Sequence, residues 1–301
     1  MKKISEEELK NVLEDHQVWL RTNKKDGKRA DLNQVDLSGV DLIGVILGDS
    51  NLNQVDLSEV NLIGVILGDS NLNQVDLSEV NLSKADLRGA NLSDMNLSGV
   101  NLSEADLFKA NLSGANLFGA DLFKANLRCT NLKRADLSYT DLYKADLDFS
   151  NLSNADLNHA NLRCASLFSV NLNNANLQYT DLTDADLYKA NLTNANLDHA
   201  DLYNANLKYS NLSNINLTKT NLFKADLEQA KLPKQIIQIG PIGSRKSYTV
   251  INLDDDIIYC GCWKGNSKEF KDRIDEVYPD DSVYRTQYLS LLQLIESLKV
   301  K

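Results

Sequence analysis

The feature that most constrains this chain is a leucine at every fifth position from Leu32 to Leu232, without exception over 41 positions. A period of five fits neither ordinary element. On an α-helix successive leucines would rotate by about 140°, and on a flat strand they would alternate between opposite faces. All of the leucines can point inward only if the chain turns a corner every five residues, so that four corners close a square coil of 20 residues.

A duplication supports this coil length independently. Residues 32–51 and 52–71 are near-identical copies offset by 20. They differ only at Gly39/Glu59 and Asp41/Asn61. The duplicated block is therefore one full turn. About ten such coils, stacked at about 4.8 Å, predict an all-β solenoid about 50 Å long.

The other positions of the repeat fit the same square coil. A small or β-branched residue lies two positions before each leucine, with Met95 as the one departure, and lets the facing walls approach each other. Asp or Asn almost always precedes the leucine directly. No proline falls between residues 30 and 232, as a continuous backbone ladder requires, because proline would remove a rung.

The motif also points to a known family. The tract Ala85-Asp86-Leu87-Arg88-Gly89-Ala90-Asn91-Leu92-Ser93, in a pattern that runs from residue 30 to residue 232, resembles the pentapeptide-repeat family. That resemblance implies a right-handed quadrilateral β-helix, a handedness that the periodicity alone does not provide. It implies little about activity, because members of the family are mostly uncharacterised.

The N-terminal segment lacks the repeat and reads as a helix. Ser5 and Glu8 form a capping-box pattern, which predicts one amphipathic helix over residues 6–21. An open β-helix end exposes unpaired backbone groups, so we expect this helix to cover it, and a partner-binding helix is the alternative. The stretch from His16 to Leu32 resembles a leader common in front of such repeats.

The C-terminal segment departs from the period after Pro233. Its patterns predict three short strands and two helices. They are Gln235–Ile239, Tyr248–Leu253, Ile257–Trp263, Ser267–Tyr278 and Ser282–Leu298. The stretch from Tyr259 to Gly265 resembles an extension that often follows pentapeptide repeats. We therefore predict three parts: a capping helix with its linker over 1–29, a β-helix over 30–233 and a small α+β cap over 234–301.

The charge of the chain is uneven along its length. The net charge is −10, and residues 31–83 contain nine acidic side chains and no basic one. These first coils predict an anionic surface that disfavours direct nucleic-acid binding and suits a basic protein partner. The candidate acidic residues are Asp36, Asp56, Asp76, Glu59, Glu79, Asp49 and Asp69. The alternative is that Asp, as a motif residue, only accepts hydrogen bonds from the backbone at the corners.

An apolar group lies in the same coils. Isoleucine stands where Asp or Asn is expected at Ile46 and Ile66, beside Ile43 and Ile63. Four apolar side chains in adjacent coils need covering. Either the N-terminal helix folds back over them, or they form a contact with a second copy or another partner.

Patterns that would carry chemistry are weak. Cys260-x-Cys262 lacks the second ligand pair that zinc requires. A column that stacks by 20, Tyr139, His159, Tyr179, His199 and Lys219, separates its two histidines by about 10 Å, too far for a shared metal. No nucleophile–base pair or phosphate loop is recognisable, so we expect neither an enzyme nor a cofactor. The four cysteines form no disulfide framework, and with no signal peptide or membrane span in the sequence they predict a cytoplasmic protein.

These observations favour a non-enzymatic scaffold that presents a rigid, acidic rod to a protein partner. The family resemblance implies an alternative, because some members are DNA mimics that occupy the DNA-binding saddle of type II topoisomerases. A restriction enzyme or another DNA-binding enzyme is a comparable target. Two departures weaken the topoisomerase version: the repeats here have no interrupting loop, and a folded extension stands where the relatives dimerise. A homodimer is left open.

Overall fold

The computed structural model describes residues 1–57, 60–72, 75, 77–78, 80–217, 219–233, 236–242, 247–260 and 263–299. Besides the single-residue bridges of the coils, the elements are β1 (Lys2–Lys3), α1 (Glu6–Arg21), β2 (Val35–Asp36, in the first coil), β3 (Ile236–Ile242), β4 (Ser247–Asn252), β5 (Ile257–Cys260), β6 (Trp263–Gly265), α2 (Ser267–Val277) and α3 (Val283–Lys299). Among the described helices, none has both the length and the apolar character that a bilayer crossing requires.

Between Ala30 and Leu232 the chain winds as a square coil with a repeat of 20 residues. Parallel bridges join most of the described Asp and Asn residues of the motif to the residue 20 positions later, as between Asp121 and Asp141. We number the four sides from the residues that begin them in the first coil. The first side begins at Asp31, the second at Asp36, the third at Asp41 and the fourth at Ile46, and every twentieth residue lies on the same side of the next coil.

One corner explains how five residues make a right-angled step. The Ala125 N–H donates to the Leu122 carbonyl at 3.0 Å and closes the turn. Asp121 Oδ1 accepts the Phe123 N–H at 2.9 Å, which satisfies a backbone donor that the turn would otherwise leave unpaired. Lys124 adopts a left-handed conformation with φ of 54°. Non-glycine residues rarely hold that conformation because it is strained. The backbone hydrogen bonds to the next coil must offset this strain at each such corner.

The core is the leucine axis. The motif leucines from Leu32 to Leu227 are buried, and the small residues beside them are buried with few exceptions. Where serine or threonine replaces alanine, its hydroxyl can bond within the turn, as Thr140 Oγ1 does by donating to the Leu137 carbonyl at 2.6 Å. A polar atom is therefore buried there without losing its hydrogen bond.

Two elements occupy the N-terminal end of the coil. Strand β1 pairs in parallel with β2, and the Lys2 N–H donates to the Gln34 carbonyl at 3.0 Å. Helix α1 begins at the predicted capping box, in which Ser5 Oγ accepts the Glu8 N–H. Its Leu9 side chain packs into the leucine core.

A histidine joins α1 to the first coil. His16 is fully buried, and its Nδ1 accepts the Ala30 N–H at 3.1 Å. Its Nε2 must then carry the proton, and it donates to the Gly48 carbonyl at 2.9 Å. The ring thus satisfies one donor and one acceptor of the backbone at the open end of the ladder.

At the other end lies an antiparallel sheet in the order β3-β4-β5-β6. One of its faces packs on the last coils through Ile236, Val250 and Tyr259, and Tyr259 Oη donates to the Thr220 carbonyl at 3.2 Å. Its other face packs on α2 and α3. The predicted third strand is instead divided into β5 and β6, which pair with each other as a hairpin. The residues between them, 261–262, lie outside the described part, and Cys262 is one of these.

Candidate functional site

The acidic candidates occupy two places on the first coils. Asp36 and Asp56 stand one above the other on the second side, joined by a parallel bridge. Asp49 and Asp69 occupy the left-handed turn position after the fourth side, with φ of 61° and 56°. The other three, Asp76, Glu59 and Glu79, lie outside the described residues. The described carboxylates therefore form two separate columns.

Asp36 is held in an ionised, hydrogen-bonded state. Its Oδ1 accepts the Ser38 N–H at 3.0 Å and the Ser38 hydroxyl at 2.6 Å. These two bonds lower the pKa of the Asp36 carboxyl, and the charge of Lys3 lowers it further. Lys3 lies in register with Asp36 because β1 adds to β2. The carboxylate is thus a turn-forming group with a basic side chain on the neighbouring strand.

The N-terminal segment also compensates the second column. Lys24 Nζ lies 3.2 Å from Asp49 Oδ1, and Arg29 Nε donates to the Asp49 carbonyl at 2.5 Å. The count of charges between residues 31 and 83 omits these bases because they precede the repeats in sequence. Folding back of the N-terminal segment brings them against the first coil.

We call Ile43, Ile46, Ile63 and Ile66 the isoleucine surface. Ile46 and Ile66 are bridged at the start of the fourth side, and Ile43 and Ile63 lie in the turn just before it. Ile43 is 52% exposed and the other three are half-buried. Helix α1 packs on the leucine axis and leaves Ile43 open, so the expectation that this helix covers the whole group is wrong at that residue.

Glycines make the isoleucine surface smooth. Gly44 and Gly64 hold the left-handed turn position at φ of 64° and 65°. A Cβ at either position would meet nothing within 4 Å, so packing does not demand glycine there. The left-handed conformation does not demand glycine either, since Lys84 adopts it in the same column with φ of 61°. Two missing side chains therefore leave the neighbouring isoleucines accessible.

Aromatic rings form columns on the later coils. The predicted stack is present: centroid distances are 4.8 Å for Tyr139–His159, 4.9 Å for His159–Tyr179 and 4.8 Å for Tyr179–His199. Phe118 extends it at 5.5 Å from Tyr139. We call these five residues the aromatic column.

A second aromatic column was not predicted. Phe149, Phe168, Tyr188 and Tyr209 contact one another in turn at centroid distances of 5.1, 5.5 and 5.3 Å. The spacing from Phe149 to Phe168 is 19 and from Tyr188 to Tyr209 is 21, so a search at intervals of 20 misses both contacts. Each turn has two adjacent residues whose side chains point outward, and a ring at either of them can contact a ring in the next coil. A search that allows one residue either side of 20 would have found the column.

No arrangement for metal chemistry occurs in the part of the chain that the structure describes. No three histidine, cysteine or carboxylate side chains come together there. Cys129, Cys164 and Cys260 are free thiols. His159 and His199 are separated by the ring of Tyr179, which lies between them in the stack.

Comparison with known proteins gives a consistent family assignment. The family model for pentapeptide repeats matches in eight copies that lie between residues 28 and 234. Among curated proteins none matches the chain. HetL, a pentapeptide repeat protein involved in heterocyst differentiation regulation in the cyanobacterium Nostoc sp. strain PCC 7120, is 31% identical over 77% of this chain and 98% of its own, with a TM-score of 0.39.

Two further solved structures match part of the chain. Rfr23, a pentapeptide repeat protein from the cyanobacterium Cyanothece 51142, is 26% identical over 50% of this chain and 88% of its own, with a TM-score of 0.24. A trypsin-treated form of QnrB1, a plasmid-mediated fluoroquinolone resistance protein, is 19% identical over 62% of this chain and 80% of its own, with a TM-score of 0.40.

Proposed function

This chain belongs to the pentapeptide-repeat family, a family of right-handed quadrilateral β-helices, and from that premise we propose that it is a non-enzymatic scaffold whose first two coils bind a protein partner. The contact is the isoleucine surface. The exposure of Ile43 carries this proposal: the same column of the third side holds Ser83 and Ser103 two and three coils later, and Phe123 and Tyr143 beyond them, so the turn itself does not require isoleucine. An exposed isoleucine at a position that also accommodates serine contributes favourable free energy only when a binding partner covers it.

The charges around the isoleucine surface indicate the kind of partner segment that it would bind. Asp41, two residues before Ile43, and Asp69, three residues after Ile66, are both exposed. The bases of the N-terminal segment, Lys24 and Arg29, contact Asp49 in the first coil rather than either of these two carboxylates. A partner segment with apolar side chains flanked by lysine or arginine would bury the isoleucines and meet these carboxylates at the rim.

The test uses a variant that copies the later coils. Ile43→Ser combined with Ile63→Ser gives this column the residue found at Ser83 and Ser103, so the fold should be unchanged. A protein retained from lysate by the immobilised wild type is identified, purified and titrated by calorimetry. We expect the variant to bind it at least tenfold more weakly, since two buried isoleucines contribute about 1.5–3 kcal/mol each.

The matched control lies in the same column. Phe123→Ser combined with Tyr143→Ser removes two larger apolar side chains from later coils and should leave the affinity unchanged. Raising the salt concentration should weaken wild-type binding, because rim carboxylates contribute. Equal affinity of the Ile43/Ile63 variant and the wild type would contradict the proposal.

DNA mimicry is a second candidate, and the register of Asp36 and Asp56 favours it. Carboxylates stacked at about 4.8 Å present repeated negative charge along the rod, as a phosphate backbone does along a duplex. The same titration separates the candidates: Asp36→Asn with Asp56→Asn should abolish binding of a DNA-processing enzyme under mimicry, whereas the isoleucine variant should not.

We further infer that the two end segments serve as caps. The division into 1–29, 30–233 and 234–301, with about ten coils in the middle part, is supported by the contacts of His16 and Tyr259 with the first and last coils. Each end of an open ladder exposes unpaired backbone groups, and each segment supplies partners for some of them.

A further inference from the structure

The aromatic column lies along one edge of a flat plate. At the other edge of the second side runs an amide column, Asn154, Asn174, Asn194 and Asn214, whose Nδ2 and Oδ1 atoms are joined by hydrogen bonds of 3.3, 3.0 and 3.1 Å. Tyr139 is 56% exposed and Tyr179 is 48% exposed. The two columns therefore border a plate, and they run side by side over the three coils that hold His159, Tyr179 and His199.

Few charged side chains lie on this plate: between residues 116 and 199 the second side holds three carboxylates, Asp136, Asp156 and Asp198. Ten of the 14 lysines and arginines of the repeats lie on the third and fourth sides, and the second side holds none from residue 116 to residue 199. Its carboxylates are engaged: Asp136 accepts two hydrogen bonds from Ser138, and Asp198 lies 3.7 Å from Lys219. The remaining carboxylate, Asp156, accepts hydrogen bonds from the Asn158 N–H and from Asn176 Nδ2, so each carboxylate of the plate has a partner within its own copy.

We propose that two copies of this chain associate side by side through the plate, aromatic column against aromatic column. The column repeats at about 4.8 Å, and a partner that contacts every ring needs the same repeat. A second copy has that repeat by construction. Exposed tyrosine rings are also typical of interface contacts, because they bury a large apolar area and keep a polar tip.

The symmetry of the pair follows from the plate. A two-fold axis parallel to the rods would set the aromatic column against the amide column. A two-fold axis that lies in the interface and crosses the rods sets aromatic against aromatic and amide against amide, with the rods antiparallel. The antiparallel pair also keeps the two acidic N-terminal ends apart.

The order of the rings fits this axis. Along the column the residues alternate as Tyr139, His159, Tyr179 and His199. With the axis between the rungs of His159 and Tyr179, each tyrosine of one copy faces a histidine of the other. Four tyrosine–histidine pairs then form, in which the phenol and the imidazole supply complementary donor and acceptor.

The first experiment is sedimentation equilibrium of the full chain at micromolar concentration. The wild type should sediment with twice the chain mass of 33.5 kDa. Tyr139→Asn with Tyr179→Asn should sediment as a monomer, and asparagine fits the backbone because Asn154 and Asn174 hold the same left-handed conformation. Phe149→Asn with Tyr209→Asn, in the second aromatic column and equally exposed at 50%, should remain dimeric.

A second pair of substitutions tests the pairing itself. Tyr139→Phe with Tyr179→Phe keeps the rings and their stacking but removes all four hydroxyls of the pair, and should raise the dimer dissociation constant by about thirtyfold or more. A monomeric wild type would overturn the proposal, as would equal dissociation of the two asparagine variants. An unchanged constant in the phenylalanine variant would overturn the tyrosine–histidine pairing. None of these changes touches the isoleucine surface, so the outcome is independent of the proposed partner site.

Discussion

Replacing Leu142 with alanine is expected to lower the free energy of unfolding by about 3–5 kcal/mol. Leu142 is completely buried, and the bridge between Asp141 and Asn161 fixes the separation of its coil from the next. The walls cannot collapse onto the cavity without breaking ladder bonds such as the one from the Leu142 N–H to the Asn161 carbonyl, at 2.8 Å. Urea unfolding followed by circular dichroism measures the loss.

The control is the adjacent outward residue. Tyr143→Ala removes a larger side chain that is only half-buried, and should cost less than half as much. If both changes cost the same, the leucine axis is not the main source of stability. A loss below about 1 kcal/mol for Leu142→Ala would contradict the tightly packed core.

Replacing His16 with alanine is expected to destabilise the N-terminal coil by about 2–5 kcal/mol, because it leaves the Ala30 N–H and the Gly48 carbonyl buried without partners. Trp19 stacks on the His16 ring at 5.7 Å, so in a Trp263→Phe background the tryptophan fluorescence reports on this end of the rod. Hydrogen exchange at the Ala30 amide measures the same local opening. Val18→Ala, on an exposed part of the same helix, should change neither signal.

The His16 contacts also predict a pH dependence. Burial lowers the pKa of His16 from its ordinary value of 6.5, and the nearby Arg29 lowers it further, while the bond to Gly48 and the charge of Asp49 act in the opposite direction. The unfolded segment then binds a proton more readily than the folded one. The contribution of His16 is complete above about pH 6.5 and decreases as the pH falls below it.

The measurement is the urea midpoint of the Trp19 signal between pH 7.5 and pH 5. We expect the midpoint to fall with pH in the wild type and to depend less on pH in the His16→Ala variant. A protonated imidazole has no lone pair for the Ala30 N–H, so acid should open the same contact that the substitution removes. Identical pH profiles for the two proteins would exclude His16 as the titrating group.

The sequence predicts the coil well because its determinant is local and periodic. Leucines every fifth residue admit one solution, and α1 was predicted over the residues it occupies, since a capping box and an apolar stripe are both short-range patterns. The extension was predicted nearly as well, apart from the division of its last strand into β5 and β6.

What the sequence does not predict depends on contacts between distant parts. The pairing of Lys3 with Asp36 arises because two residues before α1 add a strand to the first coil. The two bonds of His16 depend on where α1 docks, which no periodicity encodes. The candidate acidic residues were correctly seen as stacked at Asp36 and Asp56, but their compensation by the N-terminal segment required the folded arrangement.

The ends of the ladder bear on how copies of this protein can grow into larger assemblies. At one end β1 occupies the next rung position and His16 holds backbone groups of the first coil, and at the other the sheet packs over the last coils. A rod closed in this way cannot elongate by stacking end on end into a fibre. Copies that keep these end segments in place are expected to associate through their sides.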